Sequence, residues 1–329
     1  MTDVRSELGL GDGLGGGAAR HPSELHSAEQ DSVKQHPAER ADTDALIRGR
    51  ASVGDFEITV LTDGFFYLDG GAMFGVIPKP LWRKRAPADA ENHILLGTNT
   101  VVMRDGKRTI VIETGIGDKL SEKLRNIYAA KALLPAAFEA AGIAPESVDM
   151  VINSHLHFDH SGWNTRRDGA GKLTATFPNA RYFAQRGEVE DGRRQRERDG
   201  VSYMADNYEP LVASGQMTLL DGAAEIAPGI RVELFPGHTP QLQAIHIESG
   251  GEHACYISDL IPTSAHLDLT WGMGYDLDPL TVIEQRKRFY AHAIPEQWLV
   301  LFTHDHHTPF GHVEWNERGR PVLRAANVK

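Results

Sequence analysis

Four side chains that could bind a metal ion lie within one short segment of the chain. The segment reads Ser-His-Leu-His-Phe-Asp-His over positions 154–160, and the candidate ligands are His155, His157, Asp159 and His160. Imidazole and carboxylate groups together suit a divalent metal that promotes hydrolysis, such as zinc. A spacing of two places His155 and His157 on the same side of an extended backbone, and the other two follow on a predicted turn. The segment can therefore face two metal positions at once.

Three later segments each end a predicted strand on a further candidate ligand. His238 follows Phe235 in a Pro-Gly turn, and Asp259 and His304 end two other apolar runs. Strand ends are rigid and can aim several side chains at one point, which a metal centre requires. Each residue alone has another explanation: His238 could cap a turn, Asp259 could be a helix N-cap, and His304 could lie on the surface. Together, the seven candidate ligands are enough for two metal ions that share a bridging ligand.

The histidine-aspartate segment, followed in order by these three ligands, resembles the metallo-β-lactamase-fold hydrolase superfamily from about Phe56 to the C-terminus. The resemblance implies an α/β fold, a four-layer αβ/βα sandwich with the metals at one edge between two sheets. It implies that His155, His157 and His238 bind one metal ion. It implies that Asp159, His160 and His304 bind the second ion, and that Asp259 bridges the two.

The same resemblance implies the chemistry of the centre. Two divalent metal ions are expected, with zinc as the first choice and iron, manganese or cobalt as alternatives. A water or hydroxide between them would act as the nucleophile, since a metal lowers the pKa of bound water to near neutrality. Asp159 could pass a proton to the leaving alkoxide.

Two other segments, residues 69–82 and 258–266, resemble one branch of this superfamily. The branch contains quorum-quenching lactonases and is related to the N-acyl-homoserine lactonases and the methyl parathion hydrolases. It implies hydrolysis of lactone esters, with N-acyl-homoserine lactones as favoured substrates. The first alternative function is hydrolysis of organophosphate triesters or aryl esters. The second, less favoured alternative is an iron-dependent oxidoreductase on the same fold. Diiron members usually carry a carboxylate where this chain has His157, which argues against the last class.

Aromatic and methionine side chains near the candidate ligands could line an apolar channel for an acyl chain. They come from an early predicted loop and from a loop after Asp259, and the candidates are Phe65, Phe66, Trp271, Met273, Tyr275 and His266. Ordinary packing between layers is the competing explanation for each. Well-known lactonases carry a tyrosine three residues after the bridging aspartate, where this chain has Pro262. Tyr275 or His266 could supply the missing hydrogen bond.

The elements that position these residues alternate between strand and helix patterns. Apolar alternation begins at Phe56, and Asp105-Gly106 marks a predicted hairpin turn. A helix is predicted over residues 130–141, with Pro135 in its first turn, and another runs from Asp278-Pro279 to about Ile294. Strand-rich halves separated by helices favour a layered α/β architecture.

Composition divides the chain into two parts. Residues 1–53 are glycine-rich and then polar, which predicts a flexible N-terminal tail with a short helix near residues 44–50. Residues 54–329 form the predicted hydrolase domain.

Charge and sequence features indicate where the protein works. Lys and Arg total 34 and Asp and Glu total 45, a net charge of −11 that argues against nucleic-acid and anionic-membrane partners. The chain has one cysteine and shows neither a long apolar run nor a secretory signal. A cytoplasmic enzyme that acts on a small-molecule lactone or ester is expected. The early aromatic segment could equally form an interface, so a homodimer is expected as well.

Overall fold

The computed structural model describes residues 46–326, in which two seven-stranded sheets dominate. The strands, in chain order, are β1 (Ile47–Val53), β2 (Phe56–Asp69), β3 (His93–Arg104), β4 (Thr109–Ile112), β5 (Met150–Ile152), β6 (Thr165–Arg167), β7 (Leu173–Ala175), β8 (Arg181–Gln185), β9 (Met217–Leu220), β10 (Ala224–Ala227), β11 (Ile230–Leu234), β12 (Gln243–Ser249), β13 (Glu252–Tyr256), β14 (Leu299–Leu301), β15 (Phe310–Trp315) and β16 (Pro321–Ala325). The first sheet has the order β1-β2-β3-β4-β5-β8-β9, and the second runs from β10 to β16 in sequence. Strands β6 and β7 form a separate two-stranded sheet.

Helices connect and cover these sheets. The α-helices of the described chain are α1 (Gly70–Phe74), α2 (Lys79–Trp82), α3 (Glu122–Tyr128), α4 (Leu134–Ala140), α5 (Phe158–Ser161), α6 (Arg186–Arg194), α7 (Glu209–Ala213) and α8 (Pro279–Ala293). Short 3-10 helices occupy Pro145–Ser147, Gly162–Asn164, Gly200–Ser202, Ala205–Asn207, Ser258–Leu260 and Ser264–His266. Within residues 46–326, no helix combines the length and the apolar character needed to cross a bilayer.

The two long predicted helices form near the predicted positions. Pro135 lies in the first turn of α4, and α8 begins at Pro279. The Asp278 side chain accepts a hydrogen bond from the backbone N–H of Thr281, so it caps α8 as the sequence predicts.

Apolar side chains from both sheets meet in one buried core, which makes the sheets the two inner layers. Ile58 of β2 and Ile245 of β12 both belong to this core. On the outer side of the first sheet, Phe138 of α4 belongs to a second cluster. On the outer side of the second sheet, Phe289 of α8 belongs to a third. The predicted four-layer αβ/βα sandwich is confirmed.

Parallel strand pairs bring several strand ends to the same place. In the first sheet β4, β5 and β8 run parallel, and in the second β13 and β14 do so. The carboxyl ends of parallel neighbours lie at the same edge of a sheet. Segments that follow β5, β11, β13 and β14 carry the candidate ligands, so this edge positions the site.

The structure corrects the predicted end of the N-terminal tail. Residues 47–53, predicted as tail with a short helix, form the edge strand β1, which pairs antiparallel with β2. Its sequence, Ile-Arg-Gly-Arg-Ala-Ser-Val, alternates with polar residues, but Gly49 and Ala51 are too small to give a strong strand signal. An edge strand gains its hydrogen bonds from one neighbour, so β2 supplies what the local pattern lacks. The rest of the predicted tail, residues 1–45, lies outside the described residues.

Candidate metal centre

The histidine-aspartate segment follows β5 as a short extended stretch and then one helical turn. His155 and His157 lie on the extended stretch, and His157 is the N-cap of α5. Asp159 and His160 lie within α5, where the His160 N–H donates to the His157 carbonyl at 3.1 Å. The turn brings these two side chains back towards the imidazoles that precede them, so one segment supplies both halves of the centre.

His238 is carried by a turn that only glycine can form. Gly237 has a φ of +138°, and a Cβ there would lie 2.6 Å from Val282 Cγ2 and 2.8 Å from Val282 N. That approach is too close for any larger residue and brings the turn against the first part of α8. The Pro-Gly pair that marks the turn in the sequence therefore fixes the position of His238.

Asp259 and His304 follow the neighbouring parallel strands β13 and β14. Asp259 lies in the 3-10 helix Ser258–Leu260, and His304 lies three residues beyond β14. The His304 backbone N–H donates to the Pro262 carbonyl at 3.0 Å. Pro262 thus ties the segment after β13 to the segment after β14.

Six of the seven candidate ligands form two groups of three. In the first, the ligand atoms of His155, His157 and His238 all lie within 4.8 Å of one another, and His157 Nδ1 is 3.3 Å from His238 Nε2. The second group contains Asp159, His160 and His304 within the same limit. Asp159 Oδ2 lies 3.7 Å from His160 Nε2 and 3.6 Å from His304 Nε2.

Asp259 lies between the two groups. Its Oδ2 is 3.3 Å from His238 Nε2 and 3.5 Å from His160 Nε2. Its Oδ1 is 3.2 Å from His304 Nε2. One carboxylate therefore faces imidazoles of both groups, as a bridging ligand must.

Several polar atoms of this cluster are buried without a hydrogen-bonding partner among the described residues. They are Nε2 of His155 and His157, both ring nitrogens of His160, and Oδ1 of Asp259. An unsatisfied buried polar atom costs about 1–3 kcal/mol, so a folded protein rarely keeps several together without a ligand. Imidazole nitrogens and carboxylate oxygens are the atoms that zinc and related ions bind. The residues fit a pair of divalent metal ions.

Burial and neighbouring charges give three of these groups, His155, His157 and Asp259, the protonation states that metal binding requires. Burial, reinforced by His160 and the other imidazoles, lowers the pKa of His155 and His157 well below the usual range. Burial would raise the pKa of Asp259, but the surrounding histidines, His304 first, hold it well below normal. Neutral imidazoles and an ionised carboxylate are the ligand forms.

His160 and His238 differ from His155 and His157, because nearby carboxylates raise their pKa against the effect of burial; for His238 these are Asp259 and Asp276. Burial lowers the pKa of His160, but the carboxylates of Asp259, Asp159 and Glu113 outweigh burial and raise it to about 10. Without a metal ion, a proton on His160 balances part of this negative charge. The excess of carboxylate around His160 marks it as a place that attracts a cation.

Outer contacts orient the ligand rings, and sequence reasoning missed most of them. His238 Nδ1 lies 3.1 Å from Asp276 Oδ1, and His304 Nδ1 lies 2.8 Å from the Gly97 carbonyl. His155 Nδ1 lies 3.0 Å from Ser154 Oγ. Such partners fix which ring nitrogen remains available for a metal. Asp276 is 38 residues from His238 along the chain, so no local pattern connects them.

Glu113 is a missed residue that had a detectable signal. It directly follows β4, and its Oε1 accepts the backbone N–H of Ser154 at 2.7 Å. Its Oε2 lies 3.8 Å from His160 Nδ1, and burial raises its pKa to about 7. A polar residue at the end of an apolar strand is the pattern that identified Asp259 and His304, and it applies equally to Glu113.

A cavity of about 400 Å³ opens above the cluster. Its base is formed by ligands from both groups, namely His157, Asp159, His238, Asp259 and His304. Its walls include three of the predicted pocket residues and several that were not predicted: Phe66, Met273 and Tyr275, with Leu68, Tyr128, Phe158, Arg198 and Val201. The walls are largely apolar, which suits a ligand with a hydrocarbon part.

Three predicted pocket residues do not line this cavity. Phe65 and Phe66 belong to β2 rather than to a loop, and successive residues of a strand point to opposite faces. Phe66 reaches the cavity, whereas the Phe65 ring packs against Arg48, with 5.4 Å between the guanidinium carbon and the ring centre. Both ring nitrogens of His266 are engaged, one 2.7 Å from Thr263 Oγ1 and the other 2.9 Å from a backbone carbonyl. Trp271 packs against the Arg85 guanidinium at 3.9 Å.

Comparison with known proteins agrees with this geometry. Residues 93–304 match the profile described as the Metallo-beta-lactamase superfamily. A solved structure of a probable metal-dependent hydrolase from Staphylococcus aureus is 31% identical, with a TM-score of 0.76, and the alignment covers 84% of this chain and all of that one. The dizinc quorum-quenching lactonase AidC, solved with a product, shares the fold at 21% identity, with a TM-score of 0.70 over 86% of this chain and 100% of that one.

Curated relatives match over a shorter length. An N-acyl homoserine lactonase from Bacillus thuringiensis is 27% identical over 166 residues, which cover 50% of this chain and 58% of that protein. The chain thus spans little more than half the length of the curated relatives it matches.

Proposed function

The chain belongs to the metallo-beta-lactamase superfamily, and on that premise we propose that it is a dinuclear metal-dependent hydrolase that opens lactone esters. N-acyl-homoserine lactones are the substrate class we propose. The observation that carries the proposal is the Asp259 carboxylate, which faces both imidazole groups at the base of an apolar cavity. The names of the curated relatives and of the dizinc neighbour support the same activity.

We assign the ligands as the geometry groups them. His155, His157 and His238 would hold one ion, Asp159, His160 and His304 would hold the other, and Asp259 would be shared. Zinc suits this set of nitrogen and oxygen ligands, although the same ligands accept iron, manganese or cobalt. When bound, such ions make water nucleophilic at neutral pH and polarise an ester carbonyl.

Asp159 is the residue that moves the proton. Lactone opening adds water across the ester, so the carbonyl carbon gains an oxygen and the ring C–O bond breaks. The departing alkoxide oxygen must receive a proton. Asp159 lies at the base of the cavity with its side chain 12% exposed, where it can take a proton from the attacking water and deliver it to the alkoxide.

Tyr275 is the residue we propose to hold the substrate carbonyl. Pro262 occupies the position where well-known lactonases carry a tyrosine. Both ring nitrogens of His266 already have hydrogen-bonding partners, so His266 has no free donor for the substrate. Tyr275 lies on the cavity wall, and burial raises its pKa to about 12. Its phenol therefore stays protonated at neutral pH and can donate a hydrogen bond.

The cavity walls would receive the acyl chain. Phe66, Leu68, Phe158 and Met273 give the walls an apolar surface above the ligands. A volume of about 400 Å³ is at the small end of ligand pockets, which favours short and medium acyl chains. The expected homodimer and cytoplasmic location stay predictions.

Metal analysis combined with kinetics tests the proposal. The purified chain is loaded with zinc, its metal content is measured, and turnover is compared for N-hexanoyl-homoserine lactone, N-decanoyl-homoserine lactone and paraoxon. We expect about two zinc ions per chain at this centre and the highest kcat/KM on a lactone. Paraoxon turnover without lactone opening would contradict the substrate class and identify a phosphotriesterase.

A pair of variants isolates the bridging carboxylate. Asp259→Ala should lower kcat/KM by more than about 100-fold. This exceeds the loss of about 10–100-fold that is usual when a residue that only contacts a metal ligand is removed. Asp268→Ala is the matched control, because Asp268 lies in the same region but pairs with Arg85 at 2.6 Å. Such exposed pairs contribute about 0–1 kcal/mol, so the control should keep its activity. Equal activity in the two variants would contradict the bridge.

A further inference from the structure

We propose that the chain carries an additional site for a divalent transition metal ion, of the zinc class, on the outer face of the second sheet. Its ligands are His246 and Glu248 of β12 and His253 of β13, whose ligand atoms all lie within 4.8 Å of one another. His246 Nδ1 is 2.9 Å from His253 Nε2, and His253 Nε2 is 3.7 Å from Glu248 Oε1. None of these residues belongs to the centre described above.

Strand pairing brings the three side chains together. Glu248 is directly opposite His253 in the antiparallel pair β12–β13, and His246 is opposite Cys255. Residues two apart on a strand share a face, so all three ligands point to the same side of the hairpin. This is the side that packs on α8, where Cys255 lies in the outer core cluster with Phe289.

The distances suit a tetrahedral ion. Zinc bonds of about 2.0–2.2 Å hold neighbouring ligand atoms roughly 3.3 Å apart in a tetrahedron. The two distances between ligand atoms, 2.9 and 3.7 Å, lie on either side of that value. Side chains of His253 and Glu248 are 14% and 47% exposed, so an ion can enter from solvent and keep water as a fourth ligand.

Contacts around the two imidazoles hold them in position to bind. His246 Nε2 lies 3.3 Å from Glu233 Oε2 without hydrogen-bonding alignment. The nearby carboxylate favours the proton on Nε2, which leaves the Nδ1 lone pair directed towards His253. Without an ion, His253 Nε2–H donates to this lone pair at 2.9 Å. A bound ion would replace that proton, which would move to His253 Nδ1 or to solvent. The Trp298 ring stacks on His253 with centroids 3.9 Å apart, which restricts rotation of that imidazole.

Local charge permits a cation despite two nearby arginines. Arg231 Nε contacts Glu248 Oε1 at 2.9 Å, and Arg288 Nη1 contacts Glu233 Oε1 at 2.6 Å. A carboxylate has about four acceptor positions, so Glu248 can keep Arg231 and still bind an ion. Burial lowers the pKa of His253 to about 4, so its imidazole is neutral at physiological pH.

The proposed site is well separated from the candidate catalytic centre. His253 is near the start of β13, and Tyr256 at its end is about 10 Å further along, at roughly 3.3 Å per residue. Asp259 follows beyond that end. An ion at His253 would therefore link β12 to β13 without touching the reacting groups.

Metal counting on matched variants tests this site. Full-length protein, dialysed against free zinc at low micromolar concentration, should hold about three ions per chain, and His253→Gln about two. Glu233→Gln keeps all three ligands but should weaken the third ion by about 10–100-fold. His93→Gln is the control, because His93 pairs with Asp89 at 3.2 Å, outside the cluster. Circular dichroism checks that each variant folds.

The outcomes separate this proposal from the proposed function. Asp259→Ala should lose ions from the catalytic centre and still keep the ion that His253→Gln removes. Protein that opens no lactone but keeps this ion would support the site while contradicting the activity. An identical zinc content in the wild type, His253→Gln and Glu233→Gln would overturn the site.

Discussion

The protein contains two histidine clusters that are built in opposite ways. The catalytic cluster, our name for the seven residues of the candidate metal centre, draws its candidate ligands from segments at the ends of β5, β11, β13 and β14, so it exists only when both sheets are packed together. The outer cluster draws all three ligands from the adjacent strands β12 and β13, within an eight-residue stretch from His246 to His253. One cluster depends on the whole fold and the other on a single hairpin.

This difference has consequences for stability. In the catalytic cluster, imidazoles and carboxylates from distant segments are buried together, and removing these groups from water costs free energy. Metal ions offset that cost, so binding there should be coupled to global folding. At the outer face the strands pair regardless of a ligand, so an ion should add only local stability.

Metal removal should give the largest effect and test this contrast first. A ligand present at 1,000 times its Kd stabilises the folded state by about 4 kcal/mol. Chelation should therefore abolish activity and lower the Tm by roughly 10 °C. Thermal unfolding with and without a chelator measures this shift, and zinc should restore it. A chelated protein with an unchanged Tm would show that the catalytic cluster is stable without metal.

Loss of the carboxylate behind His238 should have the next largest effect. Asp276→Asn should reduce metal affinity or kcat/KM by about 10–100-fold, because Asp276 contacts His238 Nδ1 at 3.1 Å. Asp278→Asn is a matched control in the same loop, since its side chain caps α8 and contacts no ligand. Steady-state kinetics at several zinc concentrations compare the two. Equal losses would mean that the loop acts only through its fold.

Tyr275→Phe should have a smaller effect that is confined to chemistry. Loss of one hydrogen bond of about 1–1.5 kcal/mol slows the reaction by about 10-fold. We expect the loss in kcat on N-hexanoyl-homoserine lactone, with an unchanged metal content. Tyr128→Phe is the comparison, because Tyr128 lies on the same cavity wall. If Tyr128→Phe alone lost activity, the donor would be misassigned.

Substitution in the outer cluster should have the smallest effect on catalysis. Independent sites that share no partner change each other's energetics by less than about 0.5 kcal/mol. His253→Gln should therefore keep kcat/KM within about two-fold, measured on the zinc-loaded protein. A large loss would show that the two clusters are coupled through β13, and the contrast between them would fail.

The sequence was sufficient to predict the parts of this molecule that local pattern determines. The candidate-ligand segment from His155 to His160, the strand ends at Asp259 and His304, and the cap of α8 are all visible in short stretches of residues. The edge strand β1 was hidden because its pairing partner, not its own composition, stabilises it. Asp276 was hidden because its contact with His238 depends on how two loops pack.

Side-chain direction was the other limit. Phe65 and Phe66 look equivalent in the sequence, and only the phase of β2 decides which one reaches the cavity. His266 looked like a free donor until its two hydrogen-bonding partners were known. The fold and the clustering of the candidate ligands therefore follow from the sequence pattern, whereas the pocket follows from tertiary packing.

The origin of the cavity walls matters for how such an enzyme changes over evolutionary time. Residues such as Leu68, Arg198, Val201 and Met273 shape the walls, and none is among the seven candidate ligands. Mutations in these wall segments alter which molecules fit while the ligands keep their positions. Laboratory evolution of a new substrate preference should therefore diversify these positions. It should leave Gly237 unchanged, because the turn that positions His238 requires glycine there.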